Sequence, residues 1–438
     1  MWLLPAALLA ASCGGGVGDT DAEAAGDVGD QASPAGAEED EAAGEGAADP
    51  VTLTFWNYWD GKNGEVMQSL VDEWNSANPD VQVESIFVGF GDLLPKLQAA
   101  VAGGEAPDVA AGDLVWLPKL TRSGRLVALD QFLDAEQLDE FFPEMLQVGE
   151  LDGSTYSLPV STNNLQLFYN RELIEQSGLD PDDPPETWDE LRAAAAECAD
   201  PASGRQGLEL FTEPGEGLTW QFQVYLWQAG GEFLNEDGTA AAFNSPAGEQ
   251  ALQFWVDLIH DDKSAAVAPW GAFGQGNACM MMDGSWMVGI WSADPPFDFG
   301  TAPMPHPADG QPATNMGGEQ IFIMADAPDR QQAAYRFVEW VTSHEVQLEW
   351  VKQTGFMPVL ESLAADSEYR QFIEATEPRA LPFVDGAQHA RSRPPIPTYP
   401  EVSDAFSREI ERALLGQVSV TEALKAAEQA VNDQIARG

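Results

Sequence analysis

From residue 51 onward the chain switches its apolar period again and again, and this alternation restricts the fold more than any other feature. Val51–Trp56 alternates apolar and polar side chains with the period of a strand. Met67, Leu70, Val71 and Trp74 then fall at i, i+3, i+4 and i+7, one face of a helix that Asn78-Pro79 stops. Val81-Gln-Val83 begins a second strand, and Leu93, Leu97 and Val101 mark a helix ended by Gly103-Gly104. Pro107-Asp108-Val109 opens a third strand. Strand, helix and strand in this order imply an α/β layer built on a parallel sheet.

The same pattern recurs later. Thr187 and Glu190 form a capping box for a helix running to about Cys198. Ser245-Pro246 supplies an N-cap and a first-turn proline ahead of Leu252, Trp255 and Ile259. Ala333, Phe337, Trp340 and Val341 give another apolar stripe, and Ser419 with Glu422 boxes a last helix whose Leu424, Ala427, Val431 and Ile435 point inward. A chain of 438 residues has material for two sizeable cores.

Residues 1–50 are different in kind. They hold 11 acidic residues and no Lys or Arg, which leaves −41 of the net charge of −52 on residues 51–438. The acidity therefore belongs to the folded part, and its field repels nucleic acid and anionic surfaces. Residues 14–50 carry almost no large apolar side chain, so a disordered acidic tether is expected over 13–50. Residues 2–12 form a short apolar run ending in Ala-Ala-Ser, with Cys13 next. The run is too short to span a bilayer and fits a signal peptide over 1–12. A Cys at that place resembles the bacterial lipobox, which implies a lipidated Cys13 and a cell-surface or periplasmic-side location. An ordinary secretory signal with an incidental Cys is the alternative. Cys198 and Cys279 are read as two buried free thiols, with pairing left open.

The folded elements carry phrases found in order through residues 51–436. They are Glu73-Trp-Asn-Ser-Ala-Asn-Pro79, Gly103-Gly-Glu-Ala-Pro-Asp-Val109, Leu158-Pro-Val160, Leu167-Phe-Tyr-Asn170 and Thr187-Trp-Asp-Glu-Leu191. Ala229-Gly-Gly231, Phe243-Asn-Ser-Pro246, Gly276–Met280, Gly284-Ser-Trp286, Met316-Gly-Gly318 and Arg393–Tyr399 complete the set. In this the chain resembles the family 1 extracellular solute-binding proteins of ABC importers, the maltodextrin-binding group. The resemblance implies a two-lobe periplasmic-binding-protein fold, each lobe a β-sheet flanked by helices, joined by a hinge of crossing strands. It implies lobes of 51–159 plus 301–348 and of 160–300 plus 349–438, which close around a ligand. It also implies a carbohydrate ligand, permease subunits as partners, and a monomer held to the membrane through its lipid alone.

Sugar hydroxyls need polar side chains in fixed positions, and the C–H face of the ring needs an aromatic platform. Trp56-Asn57-Tyr58-Trp59 follows the first strand, where ligands of α/β sheets sit. Alternation sends Trp56 and Tyr58 one way and Asn57 and Trp59 the other; Asn57 and Trp59 are assigned to the cleft, with core packing the alternative for either Trp. Asp113 follows the third strand and is a sugar-binding acid by resemblance or else a helix N-cap; Asp108 is read as structural. The resemblance also implies Asn163 as a polar contact, with Asn164 as its fallback, and Trp220 and Trp286 as stacking rings, while Trp227 reads as core. Gly318 would let backbone approach the ligand, Glu319 replaces an aromatic seen in some relatives, and Arg393 would donate a bidentate pair or else form a surface ion pair.

No catalytic constellation assembles. His260, His306, His344 and His389 are isolated, no Cys/His spacing suits zinc, and neither a nucleophile elbow nor a phosphate loop is present. No metal or other cofactor is expected. The rival readings are a secreted glycoside hydrolase using a pair of the many carboxylates, and a receptor for a glycerol-phosphate-type solute.

Overall fold

The computed structural model describes residues 50–133, 135–293 and 295–437. Cys13, the signal peptide and the tether lie outside the described residues. Ten strands form two main sheets. In the first, β1 (Val51–Asn57) lies between β2 (Val81–Phe87) and β3 (Val109–Asp113), all parallel. Helix α1 (Gly61–Ala77) joins β1 to β2, and α2 (Phe90–Gly103) joins β2 to β3. The expected stops are in place: Asn78 caps α1, and Gly104 ends α2 at φ +75°, where a side chain would be strained.

The chain then crosses. Strand β4 (Leu158–Asn163) belongs to the first sheet and β5 (Leu165–Asn170) to the second, with only Asn164 between them. The second sheet adds β6 (Gln206–Glu209), β7 (Ala278–Gly284) and β8 (Phe299–Ala302), in the order β8-β5-β7-β6. Around it lie α3 (Trp188–Cys198), α4 (Glu216–Gln228), α5 (Pro246–His260) and α6 (Trp286–Ala293). The chain returns through β9 (Thr314–Ile323), a fully buried ten-residue strand antiparallel to both β3 and β4. Helices α7 (Pro328–Val341), α8 (His344–Thr354) and α9 (Ser367–Ala375) follow. A last crossing passes through β10 (Ala390–Ser392), parallel to the start of β9, into α10 (Tyr399–Leu414) and α11 (Val420–Ile435).

Two lobes result, each a sheet with its own helices. The division expected after residue 159 falls inside β4, and that expected after 300 falls inside β8. Beyond residue 348 the chain stays with the first lobe for a stretch, because Trp350, Phe356, Leu363, Tyr369 and Ile373 pack in the same core as Phe55, Val71 and Phe337. The capping boxes at Thr187/Glu190 and Ser419/Glu422 both form, as does the Ser245 cap.

The two thiols are not free. Cys198 at the end of α3 and Cys279 in β7 form a disulfide that closes 81 residues of chain. On a chain-entropy basis such a loop closure contributes roughly 4–5 kcal/mol. Among the described residues no helix is long and apolar enough to cross a membrane.

Candidate functional site

Where the lobes meet, polar side chains from both are buried together. The centre is Arg393, on the segment that follows β10, and only 3% exposed. Its Nη2 donates to Asp113 Oδ1 at 2.7 Å and its Nη1 to Asp113 Oδ2 at 3.1 Å and Glu216 Oε1 at 2.8 Å. Asp113 ends β3 in the first lobe, and Glu216 opens α4 in the second. One guanidinium therefore ties the crossing segment to both lobes. Burial in low dielectric strengthens such pairs and makes them costly to break. The second-lobe end is held further: Glu216 accepts from Tyr399 at 3.1 Å and Ser403 at 2.5 Å, and Gln223 donates to Tyr399 at 2.8 Å. Burial pushes Glu216 above the usual carboxylate range, against the pull of Arg393. It likewise holds Tyr399 and Tyr58 well above the ordinary phenol value.

On the first-lobe side Tyr58 donates to Glu319 Oε1 at 2.8 Å. Glu319 faces Asp113 in the β3–β9 register. Burial raises the Glu319 carboxyl to about 8; the Asp113 charge adds to this, while Tyr58 and Arg393 pull the other way.

The aromatic part adjoins the polar part. Trp220 on α4 and Trp286 at the start of α6 stack with ring centres 5.6 Å apart and planes 11° from parallel. The Arg393 guanidinium carbon lies 5.3 Å from the centre of the Trp220 ring. A β-carbon at Gly317 would fall 2.3 Å from Asn163 Oδ1 and 2.7 Å from Trp220 Cζ2, so only glycine lets these two side chains meet the strand. Gly318 has φ +139° and leaves no room for a β-carbon beside the Ser161 carbonyl. Asn163 Oδ1, Trp220 Nε1, Glu319 Oε2 and Arg393 Nε are all buried without a hydrogen-bond partner. An amide oxygen, an indole N–H, a guanidinium N–H and a carboxyl oxygen thus stand together unsatisfied, which native interiors tolerate at few places.

Of the residues singled out from the sequence, the structure brings together Asp113, Asn163, Trp220, Trp286, Gly318, Glu319 and Arg393. Asp113 serves both of its readings, since Oδ1 also caps the following turn at the Val115 N–H. Arg393 is buried, which overturns the surface ion pair. Asn57 and Trp59 lie on the other face of β1 from Tyr58, though the Trp59 indole comes near Glu319. Asn57 donates to Ser85 on β2, and Trp59 packs edge-on to Trp350 in the first-lobe core, while Tyr58 takes the place at the site. Alternation itself holds through residue 59, with Trp56 and Tyr58 on one face and Phe55 and Trp59 on the other; the face that meets Glu319 through a side-chain hydroxyl is the one carrying Tyr58. Asn164 is structural, donating to the Phe383 carbonyl. Asp108 is structural too, holding Thr54 and Arg330, and Trp227 is buried. Glu216 and Tyr58 were missed. Tyr399 lay within a quoted phrase, but its role depends on Glu216, 183 residues away. Among the described residues no group of three or more His, Cys, Asp or Glu is arranged to hold a metal ion.

Comparison with known proteins agrees with this architecture. Residues 58–348 match the model of the bacterial extracellular solute-binding protein family. A cyclic α-maltosyl-1,6-maltose binding protein from Arthrobacter globiformis is 46% identical; the match covers 89% of this chain and 100% of that one, with a TM-score of 0.77. The GacH receptor of Streptomyces glaucescens, solved unliganded and with acarbose, is 26% identical, with 88% and 99% covered and a TM-score of 0.79. A maltotriose-binding protein of Pyrococcus abyssi is 25% identical over 358 residues, 79% of this chain and 73% of that protein.

Proposed function

The chain belongs to the bacterial extracellular solute-binding protein family, and on that premise we propose that it captures a neutral sugar between its lobes for delivery to the permease of an ABC importer. One observation carries the reading: a stacked Trp pair adjoins a buried polar cluster whose single guanidinium is already shared by two carboxylates. The rings suit the apolar face of a sugar. The unsatisfied atoms of Asn163, Trp220, Glu319 and Arg393 suit its hydroxyls. An anionic ligand is disfavoured, because Asp113 and Glu216 already take up the charge of Arg393. This argues against a glycerol-phosphate-type solute. Among sugars, α-linked glucose oligosaccharides have the best support, from the names of the relatives.

In this reading Asp113, Asn163, Trp220, Trp286, Glu319 and Arg393 contact the ligand, while Gly317 and Gly318 bring the strand close. Binding requires no chemistry, and the sugar leaves unchanged. We further place the protein outside the cytoplasmic membrane, held by an acyl group on Cys13 with residues 14–50 as tether.

The test is calorimetry of the full chain with cyclic α-maltosyl-1,6-maltose, maltotriose and sn-glycerol 3-phosphate, followed by chromatography of the sugars after incubation. One-to-one binding of a glucan without products supports the reading. Preference for the phosphoester, or accumulation of cleaved sugar, would sink it.

A further inference from the structure

The ion network leaves one acid without a counter-ion. Glu319 is 6% exposed and stands directly across the antiparallel β3–β9 pair from Asp113. The Nη atoms of Arg393 are turned to Asp113 and Glu216, with none of their hydrogen bonds going to Glu319. The remaining partners of Glu319 are neutral: the Tyr58 hydroxyl at Oε1, and at its backbone N–H the hydroxyl of Ser161 at 3.2 Å. The Trp59 indole lies near enough to favour the anion, yet neither its N–H nor Glu319 Oε2 completes a hydrogen bond. An ionised Glu319 would be a third buried carboxylate beside a guanidinium already shared by two, and burying an uncompensated charge is far costlier than burying a neutral acid.

We propose that Glu319 stands in the site as the neutral carboxylic acid, and that its Oε2–H is a donor which selects an acceptor oxygen of the ligand. Oε2 is the oxygen left unpartnered, since Oε1 already accepts from Tyr58. A site that hydrogen-bonds a ligand atom in this way rejects analogues lacking it. The acid's raised position, about 8, agrees with the geometry. Tyr58 and Tyr399 are held well above the ordinary phenol value, so neither ionises in the same range, and Arg393 stays charged. Glu216, also raised, is the one neighbour able to blur the reading. The ligand part of the proposal rests on the sugar-receptor reading; the charge state of Glu319 does not.

Two measurements test it. In ligand-free full-length protein labelled with carbon-13 at the Glu carboxyls, one resonance should titrate near pH 8 and be missing from E319Q. If every Glu resonance titrates in the ordinary range, or no raised resonance is lost in E319Q, the proposal falls. In calorimetry with cyclic α-maltosyl-1,6-maltose, wild-type affinity should fall by up to about tenfold per pH unit above pH 8. The profile of E319Q, whose amide keeps a donor, should be flat, and E319A should bind weakly at every pH. A flat wild-type profile, or the same loss in E319Q, overturns the donor role. If the sugar gives no heat with any of the three proteins, the sugar reading fails, and the resonance alone decides the state of Glu319.

Discussion

Arg192 and Arg393 each hold a pair of carboxylates, and they differ in burial and in what they connect. Arg192 on α3 grips Asp262 and Asp257 at the end of α5, wholly within the second lobe. Its side chain is 34% exposed and those of Asp257 and Asp262 are 21% and 20% exposed. Arg393 grips Asp113 and Glu216 with much the same bond lengths, but its side chain is 2% exposed. It also joins a crossing segment to both lobes. Bond geometry alone does not separate a surface staple from a functional centre. Burial does, because it sets the cost of leaving a charge unpaired, and connectivity does, because it sets what moves when the pair breaks.

The sharpest way to break the comparison is to remove each guanidinium. Arg393→Ala strands two acids in a dry site and should cost about 3–5 kcal/mol of folding stability, read by urea unfolding. The triple change R393M/D113N/E216Q removes the charges together. It should recover most of that loss while leaving sugar binding abolished. A loss below about 1 kcal/mol for R393A would mean that burial does not govern this pair.

The aromatic half of the site comes next in size. Trp286→Ala removes one member of the Trp220 stack and should weaken sugar binding by about 1–3 kcal/mol in calorimetry. Unchanged affinity would show that the stack is packing only.

These two regions were unequally legible in the sequence. Helices opening with Thr187/Glu190, Ser245-Pro246 and Ser419/Glu422 announced themselves, because caps are local and periodicity survives one-sided burial. Helix α4 did not. It is buried on nearly all sides, so no stripe stands out, and the amide groups of its Gln221, Gln223 and Gln228 donate to the Met282 carbonyl, the Tyr399 hydroxyl and the Ala313 carbonyl. Arg393 and Trp286 sat in recognisable phrases. The Glu216–Arg393 pair spans 177 residues and leaves no local trace, and which face of β1 turns to the site is set by packing against distant elements.

A pH series compares the lobes through one buried acid in each. Burial pushes Asp283 on β7 up to about 8, with Glu209 adding to the effect and the Gly284 N–H opposing it. Glu319 reaches a similar value in the first lobe. Both are raised above their ordinary values of 3.8 and 4.5, so the folded state holds protons that the unfolded chain releases. Their contribution is complete below those ordinary values and is lost as pH rises through about 8. The slope per group is at most about 1.4 kcal/mol per pH unit. D283N and E319Q should each flatten the decline between pH 6 and 8 in urea unfolding. A slope unchanged in both variants would remove the buried-acid account.

The smallest effect belongs to the other arginine. Arg192→Ala should lower stability by less than about 1 kcal/mol, because water solvates Asp257 and Asp262 once the guanidinium is gone. The loss should shrink further in high salt, which screens exposed pairs and the repulsion of so acidic a surface. Sugar affinity should not move, since both ends of the pair lie in one lobe. R393A should show the opposite on each count: a large loss, little salt sensitivity, and abolished binding. If R192A proved as costly as R393A, exposure would not be what separates the two, and the claim that the buried arginine marks the site would lose its physical ground.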